Sequence, residues 1–599
     1  MARTLAHRGP DDEGFLNEPP VGLGHRRLSI IDVESGHQPL SNEDGTVWIV
    51  YNGEVYNHDD LRRRYLSDHK LRTHCDTEVI VHLYEEFGDR CVEYLRGMFA
   101  FAIWDKKRHR LLLARDRFGI KPLYYVRTRH GFAFASELKA LVEAGCVDTE
   151  VNKDAIEPYL TFRYVPGSQT MLKGVRKLEP AHLMVVGQGQ LDIRRYWSLG
   201  YAKEEGQTEE YYGEKLTEGL REAISIRLMS EVPLGAFLSG GLDSSFVVGL
   251  MSELKSDPVS TFTASLEGGW HDEADFAQLV ASHFGTDHHP LKVRADASDI
   301  LPKIIWHLDE PLGDAATVPT YLLSQLTRDY VTVVLTGEGA DELLAGYDKY
   351  KAFKYGSVVR KLIGGPYLKA AAQLVARTIH GERLFGFMSN RNDVDAYLDL
   401  VSVYTWEEKQ RLAGPELDFL RSKGARQATS GAWFDDFSRE TDVLDRLQQL
   451  DIDTWLPNDV LLKVDRMSMA HSLEARVPFL DHEFAQFLTS IPNRYKLRGL
   501  REKYILRKAM RPLVPREIVG RRKHGFTVPI QRWMKGELKA VVGAALSRPR
   551  LEELGYWHPT FVGQLLKRDL NNEYYRRQLW VLVVFDMWHR IFIEGERPA

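Results

Sequence analysis

The segment VPLGAFLSGGLDSSFVVGL, Val232–Leu250, places the strongest single constraint on the fold. An apolar, strand-like run ends in Ser239-Gly240-Gly241 and passes at once into a helix-like run. Small residues at such a junction let the backbone turn tightly between a strand and a helix. Two further stretches follow the same plan: VSTFTASLE leads into EADFAQLVASHFG, and VTVVLTGEG leads into DELLAGYDKYKAF. Strands alternating with longer helical runs predict a parallel sheet flanked by helices. Such sheets bind ligands beyond the carboxyl ends of their strands, where these polar turns fall.

The first turn has the chemistry of an anion site. Free N–H groups at the start of the following helix carry partial positive charge, and Ser239, Ser244 and Ser245 add hydroxyl donors. Asp243 would repel a phosphate unless a cation lies between them, and Mg²⁺ is the usual ion beside phosphates. No GxxxxGK[ST] string is present, so this is not the kinase-type phosphate loop. The alternative is a helix cap made of Asp and Ser. The second turn gathers Glu338, Asp341 and Glu342, which repel one another unless a cation or proton is shared; the alternative is a solvated acidic loop. For the third, WHLDEPLGD with Asp309, Glu310 and Asp314, a structural and a functional role stand about equal.

Residues 1 to about 195 have a different grammar. Short apolar runs such as TVWIVYNGEVYN, GMFAFAIWD and RLLLARD are broken by turn signals, which predicts stacked sheets with helices on the outer face. DTEVIVHLYEEFG carries Val79, Leu83 and Phe87 at helical spacing. The polar stretch LGYAKEEGQTEE after Trp197 reads as a linker, giving domains 1–197 and 198–599. A chain of 599 residues exceeds one hydrophobic core, which agrees with at least two domains.

Composition narrows the setting. A net charge of −5 with only short basic blocks gives no reason to expect nucleic acid. No apolar run approaches the roughly 20 residues that cross a membrane, and the N-terminal segment lacks a signal-peptide core. Cys75, Cys91 and Cys146 fit a reducing compartment and read as small buried hydrophobes, so a cytoplasmic protein is expected.

The ordered string around Asp243 resembles the pyrophosphate loop of the ATP pyrophosphatase superfamily. With FLSGGLDSS, LTGEGADELLAGY, DRMSMAHSLEARVPFLDH and RKHGFTVPI in this order, the second half resembles glutamine-dependent asparagine synthetase. HRGPDDEG, GHRRLSIID, YNGEVYN, CDTEV and ARDRFGIKPLYY resemble that family's glutaminase domain. The resemblance implies an α+β stacked-sheet, N-terminal nucleophile hydrolase-like domain. An α/β parallel-sheet ATP pyrophosphatase-like domain with a largely helical C-terminal part would follow. It also implies a ligase: ammonia from glutamine attacks a β-aspartyl-AMP made from aspartate and ATP, giving asparagine, AMP and pyrophosphate. Aspartate, ATP, Mg²⁺ and glutamine or ammonia would be the small-molecule partners, and the resemblance allows a homodimer.

Carried over by motif, Arg27 would hold the glutamine carboxylate and Asp76 its α-ammonium. Asn52 and the Gly53 N–H would form the oxyanion hole, and Glu54 would line the pocket. Leu238, Ser239 and Gly337 would contact AMP, with Ala264 beside the adenine and Gly240, Gly241, Ser244, Ser245 and Thr336 completing the nucleotide site. Asp243 and Asp341 would face the metal and pyrophosphate. Glu338 would serve the ammonia step, and Lys523 would contact phosphate.

One departure matters. The family carries a cysteine directly after its initiating methionine, a few dozen residues before the HRGPD segment, and its thiolate attacks glutamine. Here Met1 is followed by Ala2 and soon by His7. The chain as written is therefore expected to use free ammonia, its glutaminase half being inactive. Two alternatives remain at this level: a related amidotransferase acting on another carboxylate, and a non-catalytic nucleotide-binding relative.

Overall fold

A computed structural model describes residues 1–129, 131–187, 189–266, 272–293, 297–362, 387, 393–422, 442–521 and 528–598. In the first unit, strands β1 (Asp12–Glu18) and β2 (Val21–Arg27) form a hairpin. Strands β3 (Leu40–Ser41), β4 (Val47–Val55), β5 (Gly97–Asp105) and β6 (Arg110–Arg115) follow, then β7 (Tyr124–Thr128), β8 (Gly131–Ala135) and β9 (Val175–Lys177). The last two of this unit are β10 (His182–Gly187) and β11 (Gln190–Arg195). A six-stranded sheet runs β11-β10-β6-β5-β4-β3, and a three-stranded sheet runs β8-β7-β9.

The near-continuous apolar run of β5 shows why these sheets stack. Side chains alternate across a strand, so Phe99, Phe101 and Ile103 pack with Val79, Ile80 and Leu83 of a helical layer. That layer holds α1 (His58–Tyr65) and α2 (Asp76–Phe87). Ala100, Ala102 and Trp104 pack instead with Leu16, Leu23, Leu123 and Tyr125 of the neighbouring sheets. Both faces are covered, as the sequence predicts.

In the second unit α3 (Glu209–Ser225) precedes β12 (Leu234–Phe237), and α4 (Leu242–Leu254) follows it. Strands β13 (Ser260–Leu266), β14 (Asp287–Val293), β15 (Val333–Leu335) and β16 (Glu474–Arg476) complete a sheet ordered β14-β13-β12-β15-β16, parallel throughout. One face packs on Leu216, Leu220, Phe246 and Leu250. The other packs on Ile304, Leu322, Met467 and Phe585. The edge strand β16 lies within the part of the chain expected to be largely helical. Its three residues include two charged ones, so no apolar run announces it.

The same second core takes in residues of the first unit. Tyr159 and Leu160, on a helix at Ile156–Phe162, share it with Trp580 and Val581 of a helix at Glu573–Phe592. The Tyr159 hydroxyl donates to the Val581 carbonyl at 2.8 Å.

Candidate active sites

In the first unit Arg27 ends β2, Asn52, Gly53 and Glu54 lie on β4, and Asp76 begins α2. These five side chains and backbones line one cavity, together with Met469 and Glu474 from the second unit. Arg27 donates to the carbonyls of Ile31 (3.0 Å), Asp32 (2.6 Å) and Val33 (3.1 Å), so the turn after β2 fixes its guanidinium. Asp76 accepts from the Tyr51 hydroxyl at 2.6 Å and the Val55 N–H at 2.8 Å. Burial nonetheless raises its pKa above the ordinary carboxylate value.

Asn52 Nδ2 and Glu54 Oε1 are buried with no hydrogen-bond partner among the described residues. Buried polar atoms left so are uncommon and mark a place where a polar ligand completes the bonding. Gly53 allows the close approach of β4 and β5: with φ +155°, a Cβ there would lie 2.1 Å from the Met98 carbonyl oxygen. Cys75 lines the same cavity, but burial pushes its thiol up to about 11, which suits an inert side chain.

In the second unit the predicted turns converge beyond the carboxyl ends of β12 and β15. The Leu238 N–H donates to the Phe262 carbonyl at 2.9 Å, and Thr263 Oγ1 donates back to the Leu238 carbonyl, locking the turn to β13. Ser239 Oγ accepts from the Gly241 N–H at 3.3 Å and lies 3.1 Å from Ser244 Oγ. Gly240 has φ +64°, and a Cβ there would lie 2.6 Å from the Ala277 nitrogen, so only glycine fits. A Cβ on Gly337 would lie 2.9 Å from the Asp243 Cβ, which shows how closely the first and second turns meet. Ala264, on β13 beside this turn, is buried.

Lys503 joins the two acidic residues. Its Nζ lies 2.6 Å from Asp243 Oδ2 and 2.6 Å from Asp341 Oδ1. Burial opposes its charge, but the two carboxylates more than offset this and hold its pKa above the usual lysine value. Sequence reasoning missed Lys503, which sits in the helix-like string LREKYILRKAM. Glu338 Oε2, Thr336 Oγ1 and Ser245 Oγ are buried without a hydrogen-bond partner among the described residues, a second set of polar atoms suited to a ligand.

Not every acidic residue of these turns belongs to the crevice. Glu342 points into the protein, 1% exposed, and accepts from the Tyr347 hydroxyl at 2.6 Å. In the third turn Asp309 pairs with Lys139 (2.8 Å) and Arg466 (2.9 Å), Glu310 with Lys177 (3.4 Å), and Asp314 with Lys463 (2.9 Å). The structural role fits these three. Lys523 lies outside the described residues; nearby Arg521 donates to the Gly240 carbonyl at 2.9 Å.

Arg476 touches both sites. Its carbonyl accepts from the Thr336 N–H at 2.9 Å, beside the second turn, while its Nη2 donates to Glu54 Oε2 at 3.0 Å in the first cavity. It also pairs with Glu474 at 2.9 Å and donates to the carbonyls of Arg227 and Met229. It therefore ties the two units together and does not face the open crevice.

Residues 1–197 match the family model described as a glutamine amidotransferase domain, and residues 215–590 match that described as asparagine synthase. The chain belongs to the asparagine synthase family. Among its relatives is asparagine synthetase [glutamine-hydrolyzing] 1 of Bacillus subtilis, 36% identical over 99% of this chain and 93% of that one. A putative asparagine synthetase [glutamine-hydrolyzing] of Mycobacterium tuberculosis is 34% identical over 99% and 93%. Amidase chyE of Penicillium rubens is 30% identical over 93% and 88%. No helix among the described residues is long and apolar enough to cross a membrane.

Proposed function

We propose that the protein makes asparagine from aspartate in an ATP-dependent reaction, with ammonia drawn from glutamine or taken up free. The observation that carries this reading is the meeting of Asp243 and Asp341 around one cationic position at the glycine turn, with Lys503 Nζ 2.6 Å from each. Two carboxylates converging on a positive centre suit Mg²⁺, a hard cation that binds oxygen. Held by these carboxylates beside Lys503, Mg²⁺ would neutralise charge on the departing pyrophosphate.

The chain's own groups do the rest. The turn Ser239–Ser245 presents backbone N–H and hydroxyl donors to the phosphates, with Thr336 and Gly337 on the facing turn. Leu238 and Ala264 border the adenosine, and Lys523 adds a phosphate contact. Adenylation turns a poor acyl donor, the aspartate β-carboxylate, into one with a good leaving group. Glu338 takes a proton as ammonia attacks. In the first cavity Arg27 and Asp76 grip the two ends of the glutamine backbone, Glu54 lines the pocket, and Asn52 Nδ2 with the Gly53 N–H faces the amide oxygen. On this division of labour, residues 1–197 form the glutamine unit and residues 198–599 the synthetase unit. Three free cysteines support a cytoplasmic setting.

With ATP, Mg²⁺, aspartate and ammonium salt, AMP, pyrophosphate and asparagine are expected in equal amounts. Pyrophosphate release that does not depend on aspartate would overturn the assignment. Asp76→Asn is expected to weaken glutamine binding about 10- to 100-fold, the worth of a hydrogen bond to a charged group, and to leave the ammonium-driven reaction unchanged. The glutamine ammonium needs the ionised form of Asp76, whose pKa burial raises. Affinity should therefore fall as pH drops, and begin to fall above the range of an ordinary aspartate. Calorimetry across that range checks both points.

A further inference from the structure

Away from both sites, the far half of α2 meets two loops in a cluster of different chemistry. Glu43 lies on the turn after β3, His69 on the segment between α1 and α2, and His82 and Glu85 on α2 itself. One ligating atom from each of the four lies within 4.8 Å of all the others. His82 and Glu85 are three apart and share one helix face. His82 Nδ1 lies 2.8 Å from Glu85 Oε2 and 3.5 Å from Glu43 Oε2, and His69 Nδ1 lies 3.2 Å from Glu43 Oε1.

An outer contact orients the His69 ring, while His82 Nε2 faces its outer carboxylate without a hydrogen bond among the described residues. His69 Nε2 lies 3.1 Å from Glu86 Oε1, and His82 Nε2 lies 3.9 Å from Glu78 Oε1. Each imidazole thus turns Nε2 toward an outer carboxylate and Nδ1 toward the shared centre. A carboxylate that holds the Nε2 proton leaves the Nδ1 lone pair free for a metal, an arrangement common around bound metals. Asn42 Nδ2 donates to Glu85 Oε1 at 2.6 Å, which steadies one of the carboxylates.

We propose that Glu43, His69, His82 and Glu85 bind a divalent transition-metal ion of the zinc type. Two imidazole nitrogens and two carboxylate oxygens are a donor set that Zn²⁺ accepts and that Mg²⁺ or Ca²⁺ would not choose. Zn–N and Zn–O bonds of about 2.0–2.2 Å place tetrahedral ligands about 3.3–3.5 Å apart, so on binding the His82–Glu85 pair, now 2.8 Å apart, would widen and the most distant atoms, within 4.8 Å, would draw in. The ion would pin the Leu66–Cys75 segment and the Asn42 turn to α2, the helix that carries Asp76 at its other end. Its role is structural support of the first cavity, and its binding is independent of the reaction proposed above.

The test uses the full chain, stripped with a chelator and dialysed against micromolar Zn²⁺ in excess Mg²⁺. One zinc per chain is expected, with two nitrogen neighbours at about 2.0 Å by X-ray absorption. His69→Ala and, separately, the exposed Glu43→Gln should each weaken uptake about tenfold or more, while Asp243→Asn should leave it unchanged. Two results overturn the site. One is uptake equal in wild type, His69→Ala and Glu43→Gln; the other is no uptake by the folded wild type, which would leave a cluster of imidazolium–carboxylate pairs only.

Discussion

Asp243→Asn is expected to lower aspartate-dependent AMP formation about 100- to 1,000-fold. Asparagine keeps the size and shape of the side chain at the start of α4 but loses the charge that draws a cation to the leaving pyrophosphate. Electrostatic stabilisation of developing charge is worth several kcal/mol in a closed site, and each 1.4 kcal/mol is a factor of ten in rate. Lys503, which is 2% exposed, would keep only Asp341 of its two carboxylates. The loss should therefore appear in kcat together with a weaker response to added Mg²⁺, because the remaining ammonium and carboxylate largely cancel. Steady-state pyrophosphate release over a range of Mg²⁺ concentrations measures both. Undiminished turnover would remove the central support for the proposed reaction.

Arg476→Met should destabilise the protein by about 3–5 kcal/mol, the usual cost of removing one partner from a buried ionic network. Arg476 is fully buried. Methionine fills much of the same space yet leaves Glu54, Glu474 and the carbonyls of Arg227 and Met229 without their donor. The deficit should also depend on pH with a definite sign. Burial and the neighbouring Asp76 already raise the Glu54 pKa, and Arg476 opposes them. Without the arginine, the folded form binds that proton still more tightly than the unfolded chain does. The folded state then gains relative stability below the unfolded pKa and loses it as pH rises, so the variant should be weakest at alkaline pH. Adding Glu54→Gln should recover part of the stability and flatten this pH dependence. Denaturant melts of the single and double variants at acidic and alkaline pH decide the matter.

The strands and turns of the synthetase unit were legible because their logic is local. An apolar run, two glycines and a helical run lie within Val232–Leu250, and the structure needs all of them in that order. The stacked sheets were legible for a similar reason: β5 is apolar from Met98 to Trp104, so both its faces had to be covered. Lys503 and Arg476 were not legible, because their partners are distant in the chain. Lys503 meets Asp243 260 positions away, and Arg476 meets Glu54 422 positions away. Nor does a string of acidic residues say which way each points. Asp341 and Glu342 are neighbours on one short helix, yet one reaches Lys503 and the other is sealed in with Tyr347. The third turn shows the same ambiguity resolved the other way, its three carboxylates being spent on interior ion pairs.

The core shared by Tyr159 and Val581 sets an order on how the molecule is built. Those residues are separated by 422 positions, and the hydroxyl of one rests on the carbonyl of the other. A ribosome that has just completed the first unit has not yet made the helix that covers part of it. The emerging chain must carry an uncovered apolar face until translation reaches Trp580 and its neighbours, and neither unit can be excised with its packing intact.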